Sequence, residues 1–276
     1  MVIINDLKFN YAKKQQPLFQ GLDCELPAGS IVGLLGKNGA GKTTLLKLMI
    51  GLLRPTEGAV SIMGLKPSER QPSLLRDIYF LPEEFYHPSV SIRNYVKANS
   101  GFYPRFDEEF LKRLITDFEL PEQKSLNQLS YGQKKKFLIS FALATRCRLL
   151  VLDEPTNGLD IPSKSIFRKV MAGSLDEDQL VIISTHQVRD VENLIDRVLM
   201  LENGKFIMQK NIYEISSKLH FATTTSTDGK NILYREMVPG GYKVITPHNG
   251  GDSPVDIELL FNAISNDTEK MKEYVK

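Results

Sequence analysis

Cysteine is nearly absent: Cys24 and Cys147 are the only two in a chain of 276 residues. Two thiols build neither a disulfide framework nor a zinc-ligand spacing, and the sequence reads as one from a reducing compartment. An excess of charge is missing as well, because 35 Lys and Arg against 33 Asp and Glu leave a formal net charge of +2. So small a surplus makes no broad field to hold nucleic acid or an anionic membrane surface; no nucleic-acid partner is expected, and any anion must be gripped locally. No apolar run reaches the about 18 residues that a spanning helix requires. The opening MVIINDLKFNY has neither the basic n-region nor the apolar h-region of a leader. These absences point to a soluble, cytoplasmic chain. Its composition, 42% hydrophobic and 25% charged, is ordinary for one large domain with a small appendage, and no internal repeat or long low-complexity segment interrupts it.

The first 30 residues alternate apolar and polar in short pieces, with Val2, Ile4, Leu7 and Phe9 in one and Leu18, Leu22 and Leu26 in the next, as short antiparallel strands do. Three later runs are almost wholly apolar, Ile31 to Leu35, Leu149 to Leu152 and Leu180 to Ile183, which fits parallel strands covered on both faces. Helical patterns follow each, at Lys42 to Leu53, Ser163 to Met171 and Val188 to Ile195. That alternation predicts an α/β fold with a mostly parallel sheet, whose ligands sit beyond the carboxyl ends of the strands. A largely helical insertion is expected from about residue 85 to 146. Phe110, Leu111, Leu114, Ile115 and Phe118 share one helical face, and a second helix runs from Tyr131 to about Ala144 with Phe137, Phe141 and Leu143 apolar. Strands return near Val198 to Gln209, joined by the hairpin signal Asn203-Gly204. The main domain is expected to span 1–215. Residues 216–276 read as a small α+β unit, with the turn-like TTTSTDGKN, strands near Ile232 to Glu236 and Tyr242 to Ile245, and a helix around Ile257, Leu260, Phe261 and Ile264.

Directly after the first apolar run stands GKNGAGKT, Gly36 to Thr43, which matches the phosphate-loop pattern G-x-x-x-x-G-K-[ST]. Glycines at 36, 39 and 41 permit positive φ and close approach of the backbone, so that successive amides and the following helix N-terminus face phosphate oxygens. Lys42 would reach the β- and γ-phosphates and Thr43 would hold Mg²⁺. The second run closes on Asp153 and Glu154 (LLVLDE), where one carboxylate binds Mg²⁺ and its neighbour serves as base toward an attacking water. His186 follows the third run (VIISTH) at the same sheet edge, facing the γ-phosphate. LSYGQ, Leu129 to Gln133, is a helix start in which Ser130 and Gln133 form a capping box. It is a second N-terminus able to receive phosphate, and one triphosphate does not obviously use both from one subunit. Lys134 to Lys136 then occupy a first helical turn, where the dipole disfavours cations. They read as solvated or as a source of local positive potential. Cys147 reads as a small core residue, and FYPRFD (Phe102 to Asp107) as either a docking surface or core.

In their order, these motifs resemble those of the nucleotide-binding subunit of ABC transporters, along residues 1 to about 215. The resemblance implies a P-loop NTPase fold with an N-terminal antiparallel β subdomain and an inserted helical subdomain. It implies ATP and Mg²⁺, bound through Gly36, Asn38, Gly39, Ala40, Gly41, Lys42, Thr43 and Thr44, with Tyr11 as the aromatic that stacks on adenine. Tyr11 can also be an ordinary tyrosine at a strand end, and the neighbouring Lys13 and Lys14 are expected to be solvated. LSYGQ stands where the family has LSGGQ, keeping Ser130, Gly132 and Gln133 and replacing one glycine by Tyr131. In the family this motif closes on ATP held by a second cassette, and NGLD, Asn157 to Asp160, is the loop that crosses the dimer. The family usually places glutamine where IYFLPEE puts Glu83, a residue that can still approach Mg²⁺ but adds negative charge beside the triphosphate.

The activity implied is that of an ATPase working as a homodimer or with a closely related cassette, peripheral on the inner face of the cell membrane. It would drive an integral membrane transporter subunit contacted through the segment from Glu83 to about Tyr103. The LPE loop, the YPRFDEE segment, the short helical insertion and the small C-terminal unit look most like export-type, multidrug or antibiotic-resistance cassettes. The alternative is a soluble ABC ATPase acting on ribosomes, DNA or other assemblies, although such translation factors usually carry two cassettes in one chain. A kinase using the same phosphate loop would leave LSYGQ and His186 without a role.

Overall fold

The structure is a computed structural model that describes residues 1–12, 16–85, 88–227, 231–248, 250–251 and 253–275. Lys13, Lys14 and residues 228–230 of the turn-like stretch thus lie outside the described residues. The alternation at the start of the chain folds into β1 (Val2–Phe9) and β2 (Phe19–Leu26), which pair antiparallel. The step from Ile4 to Leu7 breaks the period of two, and a register shift there, with Asp6 at φ 43°, returns Leu7 to the core side. β3 (Ser30–Leu35) is buried along its whole length, and α1 (Lys42–Met49) follows the glycine-rich loop. That helix ends sooner than its apolar pattern suggested, because Gly51 takes the left-handed conformation at φ 75°. β4 (Glu57–Ile62) returns to β1 and completes a three-stranded antiparallel sheet in the order β2-β1-β4.

After the short α2 (Pro72–Leu75) comes β5 (Ile78–Leu81), a strand too short for the sequence pattern to reveal. The segment expected to be helical holds α3 (Ile92–Asn99), α4 (Glu108–Asp117) and α5 (Tyr131–Ala144). Side chains cap all three: Ser91, Asp107 and Ser130 each accept a hydrogen bond from the amide three residues on. The chain then forms β6 (Leu149–Asp153), α6 (Ile161–Ser174), β7 (Leu180–Thr185), β8 (Arg197–Glu202) and β9 (Lys205–Asn211). A six-stranded sheet results, in the order β5-β6-β7-β3-β8-β9, with every neighbour parallel except the last pair.

The helix expected at Val188 to Ile195 is instead a single 3-10 turn over Val188–Asp190. The periodicity was real, since Val188, Val191 and Ile195 are all buried. The far end of the segment, however, is pinned to β3: Asp196 donates its amide to the Ile31 carbonyl and accepts the Ile31 amide on its carboxylate, at 3.0 and 2.8 Å. Beyond β9, α7 (Ile212–Ser216) leads into β10 (Leu219–Thr224), β11 (Tyr234–Val238) and β12 (Gly241–Pro247), a sheet in the order β10-β12-β11. α8 (Ile257–Asn266) and α9 (Thr268–Val275) end the chain. β10 absorbs the first threonines of the stretch expected to be a turn, because Leu219 and Phe221 turn inward on alternate positions.

Asp107 ties α4 to the end of α5. Its carboxylate caps α4 and pairs with Arg146 at 3.4 Å, while the Arg146 guanidinium lies 4.2 Å from the Phe110 ring centre. These partners, the Phe110 amide first, hold the Asp107 carboxyl below its ordinary value. Asp107→Ala should therefore lower unfolding free energy by about 1 to 2 kcal/mol, measured by urea denaturation.

Candidate functional site

Three parallel strands, β3, β6 and β7, lie side by side and end at one edge of the sheet, so the residues just past them meet. The loop after β3 runs into α1, whose N-terminus has no side-chain cap; Gly41 occupies the cap position at φ 101°. The orphan amides of that first turn are thus free to meet an anion. Gly39, at φ 80°, would place a Cβ in open space, so its absent side chain leaves room for a ligand. Gly36 serves differently from the expectation of positive φ. A Cβ there would stand 2.5 Å from the Leu201 carbonyl oxygen, and glycine is required by packing on β8.

Lys42 is buried and turns its Nζ back onto the loop, donating to the carbonyls of Gly36 at 2.8 Å and Lys37 at 3.3 Å. Desolvation lowers its pKa, opposed by the nearby Glu154, Asp153 and Glu83. Thr43 donates its hydroxyl to Asp153 Oδ2 at 2.7 Å, and the other Asp153 oxygen accepts from Ser184. Glu154 sits in the left-handed region at φ 47° with only 5% of its surface exposed. Its Oε1 faces the His186 amide at 3.0 Å and the His186 Nδ1 at 2.8 Å, and Oε2 accepts from Thr185 at 3.1 Å. A carboxylate opposite Nδ1 places a proton on that nitrogen, so donation from Nε2 as well requires the imidazolium.

A cleft of 420 Å³ is lined by Tyr11, Asn38, Gly39, Gly41, Lys42, Thr43, Thr44, Glu83, Asp153 and Glu154, together with Leu18. Tyr11 is 63% exposed, meets Phe9 edge-on, and its hydroxyl lies 2.7 Å from that of Thr44. Gly36 and Ala40 belong to the loop without lining the cleft, and His186 reaches it only through Glu154. The residues of LSYGQ stand apart. Ser130 and Gln133 cap α5 reciprocally, and neither they nor Gly132 line the cleft. Asp160 is also outside it, capping α6 through the Ser163 amide at 2.9 Å and pairing with Lys136 at 3.5 Å.

The sequence reading missed several partners. Ser184 and Thr185 were legible as hydroxyls at the polar end of an apolar strand, but not as the groups that hold Asp153 and Glu154. Asn157 donates to the Glu83 carboxylate at 3.1 Å, a contact between loops far apart in sequence. The triple lysine is a correction. Lys136 pairs with Asp160, while Lys135 is wholly buried rather than solvated, with its Nζ over the Phe85 ring and 3.5 Å from the Glu83 carbonyl. Burial pushes the Lys135 ammonium down to about 8, against the opposing pull of Glu83, Asp153 and Glu154.

A family model described as ABC transporter matches residues 19–157. The chain is 26% identical over 259 residues to the ABC transporter ATP-binding protein YtrB of Bacillus subtilis, covering 85% of this chain and 88% of that one. It is 31% identical to the SkfA peptide export ATP-binding protein SkfE of the same organism, covering 67% of this chain and 80% of SkfE. Import cassettes for methionine and cobalt match at comparable identity. A solved structure of an ATP-binding subunit of an ABC transporter superposes with a TM-score of 0.70 at 26% identity, over 78% of this chain and 91% of that one. Independently of these likenesses, Ser184→Ala would deprive the buried Asp153 of a hydroxyl donor. A loss of about 1 to 3 kcal/mol in unfolding free energy is expected, read by urea denaturation.

Proposed function

The chain belongs to the ABC transporter family as an ATP-binding, ATP-hydrolysing subunit, and from that premise we propose that two cassettes close on ATP and drive a separate membrane-spanning partner. Subunits of this family dimerise and work with membrane transporter partners. The observation that carries the reading is the division of the phosphate-binding parts. Tyr11, the glycine-rich loop, Asp153 and Glu154 share one cleft, while the Ser130 end of α5 stands outside it. A second cassette, either another copy or a closely related chain, would bring its own Ser130, Gly132, Gln133 and Asp160 to that cleft.

Within the cleft, Lys42 exchanges its two carbonyl partners for phosphate oxygens, and the amides from Gly36 to Thr44 cradle the triphosphate. Mg²⁺ fits the donors present. Thr43 Oγ1 and Asp153 Oδ2 lie 2.7 Å apart beside Glu83, and among the described residues no cluster of three or more acidic, His or Cys side chains competes for a metal. Such a sparse set suits an ion that keeps water and phosphate oxygens as ligands. When bound, the ion neutralises charge on the β- and γ-phosphates. Glu154 takes a proton from water as the water oxygen bonds to the γ-phosphorus and the bond to the bridging oxygen of ADP breaks. The carboxylate already accepts three hydrogen bonds, leaving about one of its roughly four lone-pair sites for that water. His186 orients Glu154 through Nδ1 and, in its imidazolium form, would donate from Nε2 to the γ-phosphate.

The membrane partner docks in a groove of 600 Å³ between the main sheet and the helical segment, lined by Ile50, Leu52, Leu75, Phe80, Phe102 and Tyr103. Phe102 is 69% exposed, while Tyr103 and Phe106 pack on Phe141. Docking there holds the subunit on the inner face of the membrane, and no helix among the described residues is long and apolar enough to cross it. Export is the direction proposed, in keeping with the peptide-export relative, although import cassettes match at comparable identity; the relatives lend no support to a ribosome-directed ATPase.

Glu154→Gln should reduce ATP turnover by about 10² to 10⁴-fold, with ATP binding retained and the dimer trapped in gel filtration; normal turnover would remove Glu154 as the base. Used as bait in detergent-solubilised membranes with Mg-ATP, the E154Q chain should recover a multi-span integral protein. Adding Phe102→Asp should abolish that recovery while leaving nucleotide binding intact. Recovery of soluble assemblies alone would overturn the transporter reading.

A further inference from the structure

Lys135 is a charged group close to the cleft carboxylates that the proposed chemistry leaves unused. It is the fifth residue of α5, one turn in from the N-terminus, and it is wholly buried. A buried ammonium is expected to be paired, yet among the described residues no carboxylate lies within 4.0 Å of it. Its Nζ donates to the Glu83 backbone carbonyl and lies over the Phe85 ring, 5.4 Å from the centroid. One turn earlier on the same face, Tyr131 donates its hydroxyl to the same carbonyl at 3.3 Å and stacks on the same Phe85 ring at 5.7 Å. The Tyr131 ring also lies against Gly158, where a Cβ would stand 2.6 Å away. Two side chains of α5 therefore grip the loop that carries Glu83, and Asn157 takes the Glu83 carboxylate from the other side.

Glu83 is also the departure from the glutamine usual in this family, and it lines the cleft that would hold the triphosphate. We propose that Lys135 is a positioning residue for this cleft: from α5 it holds the Glu83 loop in place, and its positive charge offsets the one that Glu83 brings to the nucleotide. The inference rests on the ATP-binding reading above. It makes Glu83 and Lys135 a pair whose members tolerate each other's charge. It also makes α5, which carries the second phosphate-binding end, the element that sets where Glu83 stands.

The test is a cycle of Lys135→Met, which keeps the stem and removes the charge, Glu83→Gln and the double variant. The readout is equilibrium binding of a fluorescent mant-ATP, once with EDTA and once with Mg²⁺. With EDTA, K135M should weaken binding by about tenfold, because the Glu83 charge then repels the triphosphate without compensation. With Mg²⁺ the loss should be much smaller, since the ion offsets the same charge. E83Q/K135M should return to within about threefold of the wild type under EDTA. An unchanged K135M, or a double variant as weak as K135M, would overturn the pairing. If K135M does not fold but the double variant does, as judged by a cooperative melt, the two charges are tolerated only together, as proposed. If neither folds, Lys135 is purely structural and the proposal fails. Absence of mant-ATP binding by the wild-type chain would instead overturn the proposed function, and this inference with it.

Discussion

Burying two adjacent carboxyl groups is the constraint on which the rest of the structure depends. Asp153 and Glu154 are 1% and 5% exposed, and such groups cost several kcal/mol unless each oxygen finds a partner. The partners come from the next strand: Ser184 serves Asp153, and Thr185 with His186 serves Glu154. They coincide only because Asp153 registers against Ser184, and the Glu154 amide continues the ladder to the Ser184 carbonyl at 3.0 Å. A slip of one residue between β6 and β7 would turn the hydroxyls to the wrong face and strand both acids. The apolar side chains below this point, from Leu149 to Leu152 and Leu180 to Ile183, are what hold the register.

The same edge explains why phosphate-binding parts and acids meet. β3 lies beside β7, so the loop after β3 delivers Lys42 and Thr43 to the carboxyls with no further structure between them. α1 lacks the side-chain cap that α3, α4, α5, α6 and α8 carry, as does the short α2, and its orphan amides are open to an anion. At α5 the cap is internal, and the helix reaches toward the cleft through its side, by Tyr131 and Lys135, rather than through its end.

The C-terminal elements attach to this arrangement at an informative place. Arg189, three residues beyond His186, pairs with Glu258 at the start of α8, and Val188 and Val191 belong to the same apolar core as Ile257, Leu260 and Ile264. The turn that carries His186 is thus buttressed by the C-terminal helix.

Much of the fold was legible because the forces that shape it act over a few residues. Alternation in β1 and β2, unbroken apolar runs in β3, β6 and β7, the Asn203-Gly204 hairpin and the capping box of α5 all follow from local periodicity and turn chemistry. The phosphate loop and the acids at a strand end were readable for the same reason, as contiguous motifs whose spacing states their geometry. What the sequence could not yield were contacts between segments distant in the chain. Whether Val188 to Ile195 coils into a helix was decided by Asp196 bonding to Ile31, and whether Lys135 is solvated was decided by Phe85 and Glu83 closing over it. Helix periodicity and a run of lysines carry no record of what packs above them. Motif identity was therefore set by the chain alone, while the partner of each charged group was set by tertiary packing, because burial and charge pairing exist only once distant segments meet.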